Sequence, residues 1–349
     1  MWRTGRHNHP KCTASRQTAG RKRNWFLLYV LAHAASQGWF EIVCNKSTIA
    51  HFTVEKFGAL GVALPTSAEQ RCIAAFLDRE TRRVDRLVAK KRELIERLKE
   101  KRTALISRTV TRGLPPASAS AVGFPENPPL KSPGLDWLGD IPKHWDVTRL
   151  KYAATRIVDC PHETPIYSQD GEFAVVRTAD MILGALRLEN VYRVDAEEYK
   201  RLIRREPVIA GDVLYGREGE RWGFAATAPA SPVICLGQRM MQFRTAAHYS
   251  SRFLMWQLNG RSVYAQGAID TMGSTAPHVN VETIRNYWLT EPPLLEQAAI
   301  TVYLDSETAK LDALLGKVGD AVERLHEYRT ALITAAVTGK IDVRSEVAA

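Results

Sequence analysis

Eight residues between positions 217 and 280 carry the side chains best suited to reading a nucleic acid: Arg217, Arg221, Gln238, Arg239, Ser274, Thr275, His278 and Asn280. Arginine, glutamine and asparagine can each make two hydrogen bonds to one base edge, the geometry that tells base pairs apart in the major groove. Serine and threonine hydroxyls suit phosphate oxygens, which fix register without carrying sequence information. The eight fall in "YGREGERWG", "LGQRMM" and "GSTAPHVN". Those are turns set among β-branched and aromatic runs that predict strands. Any one of them alone would pass for an ordinary loop residue. Together, at the turns of one domain, they predict a recognition surface.

Chemistry beyond recognition is not indicated. There is no nucleophile beside a base and no carboxylate pair with a defensible spacing. Gly316-Lys317 and Gly339-Lys340 lack the earlier glycine and the following hydroxyl residue of a phosphate-binding loop. Asn127-Pro128-Pro129-Leu130 is one residue short of the loop with which adenine-N6 methyltransferases hold a flipped base. Leu130 cannot stack on a base as an aromatic would, and no glycine-rich cofactor loop precedes it. Cys160-Pro161-His162 offers two metal ligands without a second pair. We therefore expect a non-catalytic chain with no metal and no cofactor. The cysteines (Cys12, Cys44, Cys72, Cys160, Cys235) are scattered without a CxxC pair, which predicts reduced thiols in a cytoplasmic protein. No apolar run approaches the length needed to span a membrane.

The elements that must position this surface are announced by an internal repeat. "LDRETRRVDRLVAKKRELIERLKEKRTALISRTVT" at Leu77–Thr111 returns as "LDSETAKLDALLGKVGDAVERLHEYRTALITAAVT" at Leu304–Thr338, a constant 227 positions later. The match continues upstream without a gap: Phe26-Leu27 with Phe253-Leu254, His51 with His278, Pro65 with Pro292, Glu69-Gln70 with Glu296-Gln297. A duplication of a globular piece followed by a long helix explains this. Ser67-Ala-Glu-Gln70 reads as a capping box opening the first helix. Apolar positions on the two helices predict a narrow seam: Val84, Leu87, Leu94, Leu98 and Leu105 on one, and Leu311, Leu314, Val318, Leu325, Tyr328 and Leu332 on the other. Two such stripes predict a coiled coil between the helices, about 45 Å long at 1.5 Å per residue.

The expected order is a basic unmatched segment over 1–23, the end of a first globular unit over 24–66, and a long helix over 67–112. A Pro/Ala/Ser-rich linker follows over 113–134, then a strand-rich domain over 135–293, a second long helix over 294–342 and a tail over 343–349. The fold class is α+β. Arg3, Arg6, Lys11, Arg16, Arg21, Lys22 and Arg23 stand in the first segment with no acidic residue, so seven of the formal +10 charges sit there. The high pI is therefore weak evidence about partners. The repeat predicts that this segment stands where most of a first recognition domain would be, which suggests an N-terminal truncation.

Four stretches carry a family resemblance: "GLDWLGDIPKHWDVTRLK" at Gly134–Lys151, "GSTAPHVNVETI", "PLLEQAAITVYLDSETAKLDAL" at Pro293–Leu314, and "YRTALITAAVTGKID" at Tyr328–Asp342. With their first-copy equivalents they resemble the specificity subunit of type I restriction–modification systems. The resemblance implies target-recognition domains that each read half of a split site on double-stranded DNA. It also implies an antiparallel coiled coil that sets the gap between the halves. The implied partners are methyltransferase (modification) subunits and an ATP-dependent restriction subunit. The subunit itself would be non-catalytic, within a complex that is a site-specific endonuclease and adenine-N6 methyltransferase. Roughly 45 Å corresponds to about 13 base pairs at 3.4 Å per step. Self-pairing through the helices is a further implied possibility. The alternative is a coiled-coil assembly fragment that binds methyltransferase subunits without full DNA specificity.

Overall fold

The computed structural model describes residues 25–43, 54–58, 60–271 and 277–344. The basic segment 1–23, Ser274 and Thr275 lie outside the described residues. The fold is α+β, and the chain divides into two compact units: Met1–Arg97 with Ala313–Ala349, and Leu98–Asp312. Two long helices run through both, Ser67–Arg112 with 46 residues and Leu294–Val337 with 44. Among the described residues no helix is long and apolar enough to cross a membrane.

The first long helix begins one residue earlier than Ser67–Gln70 chemistry would place its cap. Thr66 Oγ1 accepts the Glu69 N–H at 3.3 Å, and the Glu69 carboxylate accepts the Thr66 N–H at 2.9 Å, so the capping box is Thr66–Glu69. Gln70 instead donates through Nε2 to the Pro65 carbonyl at 2.8 Å. Its repeat equivalent Gln297 does the same to Pro292 at 2.9 Å. The helix ends at Gly113, whose φ of 80° is unstrained only for glycine.

In the first unit the helices run antiparallel, with Val84, Val88 and Val322 buried together and Arg329 Nε donating to Asp85 Oδ1 at 3.0 Å. Further along, Arg92 Nη2 comes within 3.5 Å of His326 Nε2, so one number rises as the other falls. In the second unit Arg102 Nε lies 2.9 Å from Asp312 Oδ1, and Ile106 shares a core with Ile300 and Leu304. The buried and half-buried stripe runs through Thr81, Val84, Val88, Lys91, Ile95, Leu98 and Arg102 on the first helix, and through Thr308, Leu311, Leu315, Val318, Val322 and Leu325 on the second. Its steps of three and four keep a 3.5-residue period, which a supercoiled pair requires.

The seam departs from the sequence expectation by one position at several levels. Leu87, Leu94, Leu314 and Tyr328 are 41–54% exposed, while Val88 and Val322 are buried. Leu105 and Leu332 are half-buried at the margins of the two main cores, and Leu325 at the margin of the seam. The physical reason is that the seam holds polar residues. Thr81 and Thr308 satisfy their hydroxyls on the carbonyls four residues back, and Arg102 pairs with Asp312 across the helices, its Nη2 donating to Oδ2 at 3.1 Å. A stripe chosen by leucine content alone is drawn off that line.

Around the first unit's helices, Phe26, Tyr29 and Val30 of the helix Trp25–Ser36 pack on Ile73, Leu77, Ile333 and Val337. In the second unit the helix Ser251–Leu258, capped by Ser250, packs on Ile300 and Leu304. The polar contacts repeat at the same offset. Tyr29 Oη donates to Asp78 Oδ1 at 2.8 Å, and Trp256 Nε1 donates to Asp305 Oδ1 at 2.9 Å. Cys160 and Cys235 are free and buried.

The strand-rich part of the second unit has two main sheets. In one, the order is Ala225–Thr227, Val213–Gly216, Met240–Thr245, Ala154–Asp159, all antiparallel. In the other, Phe173–Val176 pairs parallel with Ile234–Leu236 and antiparallel with Tyr192–Val194. Alternate residues of the first sheet feed two cores. Val213, Tyr215, Met241 and Phe243 face the helices, and Leu214, Ala226 and Met240 face the other sheet. Burial on both faces is why these strands read as continuous apolar runs.

Three contacts fasten this domain to the helix pair. Arg102 Nη2 donates to the Leu183 carbonyl at 2.8 Å. The adjacent Gly184, at φ 84°, lies so close that a Cβ would stand 2.9 Å from the Trp256 ring. Glu296, in the first turn of the second long helix, accepts from Trp145 Nε1 at 2.9 Å and lies 2.8 Å from His144 Nε2. The stretch expected as a linker is partly folded: Pro116–Ala121 is helical, and Leu114 and Ala119 are buried in the main core. Proline in the first turn is compatible with a helix, so composition alone misled.

Placing a carboxylate in the seam separates the two registers. Val88→Glu or Leu98→Glu should destabilise the protein by about 3 kcal/mol or more in urea unfolding. Leu87→Glu or Leu94→Glu should change it by no more than about 0.5 kcal/mol. Equal effects in both pairs would contradict the observed seam.

Candidate nucleic-acid interface

Four segments distant in sequence meet at one end of the sheets. They are Asp159–Thr164 after one strand, Arg217–Gly223 after another, the turn Gly237–Arg239 between two more, and Pro277–Asn280. Sheet order brings them together, and backbone hydrogen bonds lock them. Arg217 N–H donates to the Arg239 carbonyl at 3.0 Å, Val279 N–H to the Arg217 carbonyl at 3.1 Å, and Gly219 N–H to the Pro277 carbonyl at 3.0 Å. Glu218 and His278 form an isolated antiparallel bridge.

Arg217 is the centre, and it is 4% exposed. Its Nη2 lies 3.0 Å from Glu218 Oε1 and 2.9 Å from His162 Nε2, while Nη1 donates to the Val279 carbonyl at 3.3 Å. Nε stands 3.2 Å from Asp159 Oδ1 without the alignment of a hydrogen bond, so that contact is an ion pair. Glu218 also reaches His278 Nδ1 at 2.9 Å, and Asp159 Oδ2 lies 2.8 Å from His162 Nε2. With its charge matched and its donors turned inward, the Arg217 guanidinium is placed to brace the loops rather than to reach a base.

The other residues singled out by sequence divide by what they already hold. Arg221 is half-buried, its Nη1 donating to the carbonyls of Ala179 and Met181 at 2.7 and 2.6 Å. Asn280 caps the short helix Val281–Arg285, its Oδ1 accepting the Glu282 N–H at 2.9 Å. Gln238 is half-exposed and donates to Thr164 Oγ1 at 3.2 Å. The side chains of His278 and Arg239 are 52% and 57% exposed. Arg239 also has φ 71°, and it is the one non-glycine residue in the described chain with positive φ. A left-handed arginine is strained, and strain of this kind concentrates at functional positions.

Sequence reasoning missed Asp159, His162 and Thr164. His162 was visible only as part of Cys160-Pro161-His162, weighed as a metal pair. Cys160 instead serves the fold: its sulfur accepts the Met240 N–H at 3.3 Å, and burial pushes its thiol up to about 11. Among the described residues no group of three or more His, Cys, Asp or Glu could hold a metal ion.

No protein-family model matches the chain. Over 135 residues it is 30% identical to the type I restriction enzyme EcoBI specificity subunit of Escherichia coli. That match spans 38% of this chain and 27% of that protein. Among solved structures, a chain from a study of complex assembly and conformational transition of the type I R-M system superimposes with a TM-score of 0.59. It is 17% identical, covering 90% of this chain and 68% of that one. The HsdS subunit from Thermoanaerobacter tengcongensis gives a TM-score of 0.45 at 17% identity, covering 90% and 70%. In sequence the chain resembles a type I specificity subunit, and in fold a chain of the type I R-M system.

Two substitutions separate bracing from presentation. Arg217→Ala removes the buried cation between Asp159 and Glu218, whose remaining partners are His162, His278 and Arg239, and should lower stability by about 3 kcal/mol. Arg239→Gly should stay within about 1 kcal/mol of wild type, because relief of left-handed strain offsets the extra freedom of glycine in the unfolded chain. Chemical denaturation measures both, and a large loss at Arg239→Gly would contradict this division.

Proposed function

We propose that the chain is a non-catalytic, sequence-specific DNA-recognition subunit of a type I restriction–modification complex. It would hold methyltransferase subunits, and through them an ATP-dependent restriction subunit, on a split site in cytoplasmic double-stranded DNA. The observation that carries this reading is the turn bearing Gln238 and Arg239. It presents an exposed arginine in a strained conformation from loops that the buried Arg217 network holds rigid. Such a surface suits a groove, where the cost of ordering side chains has been met before binding.

Roles follow from placement. Arg239, Gln238 and His278 would face the bases or adjacent phosphates, and Ser274 and Thr275, beside His278 in sequence, are candidates for phosphate contact. Arg217, Arg221 and Asn280 would position those loops. The paired helices would carry the modification subunits, consistent with a spacer whose faces away from the seam stay exposed.

The test is to co-express the chain with methyltransferase subunits encoded beside it and to map N6-methyladenine across the host genome. The expected result is a short methylated motif that loses selectivity at one position with Arg239→Ala, while the pure chain with S-adenosylmethionine transfers no methyl group. A bidentate guanine contact at Arg239 would be worth about 1–3 kcal/mol, so Arg239→Ala would relax one position of that motif. Partner capture without any motif would instead favour an assembly fragment that binds methyltransferase subunits alone.

A further inference from the structure

Beside the recognition turn stands an exposed cluster that no core requires. Tyr167 and Tyr192 are 39% and 48% exposed, and their rings stack with centroids 4.4 Å apart at 26°. The Arg177 guanidinium carbon lies 4.1 Å from the Tyr192 ring centre. Asp180, 8% exposed, fixes that arginine. Its Oδ2 accepts the Arg177 backbone N–H at 2.9 Å and Nε at 3.1 Å, and its Oδ1 accepts Nη2 at 3.2 Å.

The cluster is rigid and close to the turn. A Cβ on Gly237 would stand 2.9 Å from Arg177 Cγ, so the clamped arginine lies directly against the residue before Gln238. The strand-like segment bearing Tyr167 is tied on both sides. Ile166 N–H donates to Glu198 Oε1 at 3.0 Å, and Ser168 N–H donates to the Arg193 carbonyl at 2.9 Å. Gln238 meets the same loop through Thr164. Burial raises the Tyr167 phenol.

We propose that Arg177, Tyr167 and Tyr192 form a phosphate-contact site for duplex DNA, setting the register in which Gln238 and Arg239 meet the bases. The proposal rests on the DNA-recognition reading of this domain. Its chemistry points to backbone rather than base. Asp180 holds Nε and one Nη2 hydrogen of Arg177 and the Tyr192 ring lies against the guanidinium, which leaves Nη1 and the second Nη2 hydrogen as fixed donors beside two phenolic hydroxyls. What remains is a fixed cation with phenolic donors beside it, the group set that holds phosphate oxygens.

A phosphate contact is independent of sequence, so the test needs no knowledge of the target. The full chain, its Arg177→Gln variant and a Tyr167→Phe/Tyr192→Phe double variant are titrated against a labelled random-sequence duplex of about 30 base pairs over a range of salt. The expected result is roughly five-fold weaker binding by Arg177→Gln with a log–log salt slope shallower by about one. The phenylalanine double variant, which keeps the stack and the Asp180 clamp, should lose about three-fold with the slope unchanged. It also decides the matter if Arg177→Gln fails to fold. Wild-type affinity and slope in the variants that fold would overturn the proposal, as would a loss confined to one selected sequence with random duplex binding intact. Failure of the wild-type chain to bind any duplex would overturn the recognition reading itself.

Discussion

An aspartate on one long helix meets an arginine on the other twice, as Asp85 with Arg329 and as Asp312 with Arg102. The two pairs are the same contact, displaced by the repeat. Because the duplicated helix packs antiparallel on its own copy, each interhelical bond made by one copy recurs with the roles exchanged. That constraint fixes the register of the seam in each unit, and the rest of the fold is attached to it. Arg102, the more buried of the two arginines at 9% against 35% side-chain exposure, carries the additional task of gripping the Leu183 carbonyl. In the second unit the helix pair therefore orients the two sheets directly.

The sheets in turn explain how exposed loops can be exact. Strands buried on both faces leave little freedom at their ends. Arg217, held between Asp159 and Glu218, ties three of those ends together beneath the surface. A buried guanidinium between two carboxylates is expensive to remove, because both carboxylates then lose their buried cation. Rigidity at this level is what lets an arginine at φ 71° persist at the turn above it.

Much of this was legible in the sequence, and the limits were physical. The 227-residue offset showed duplicated helices and a seam because side chains that pack on their own copy are constrained in the same pattern twice. The exact seam was less legible, since Thr81 and Arg102 occupy it where leucine would be expected. Sequence also located the loops that carry polar chemistry but could not rank them. Arg217 and Arg239 look equivalent in "YGREGE" and "LGQRMM". Only sheet order brings Asp159, His162, Glu218 and His278 around the first and leaves the second exposed. The short helix Pro116–Ala121 in the proline-rich stretch after Gly113 was missed because composition there resembles a linker, and its burial depends on the core that Trp145 anchors.

On the proposed function, this domain recognises a particular DNA sequence through the Arg239 turn. The most direct measurement is repeated selection of random duplexes by the intact chain, followed by sequencing of what it retains. The account predicts convergence on one short block whose identity at one position loosens when Arg239 is replaced by alanine, while total affinity for unselected duplex changes little. Retention of duplexes with no shared block, or a block unaffected by Arg239→Ala, would contradict it.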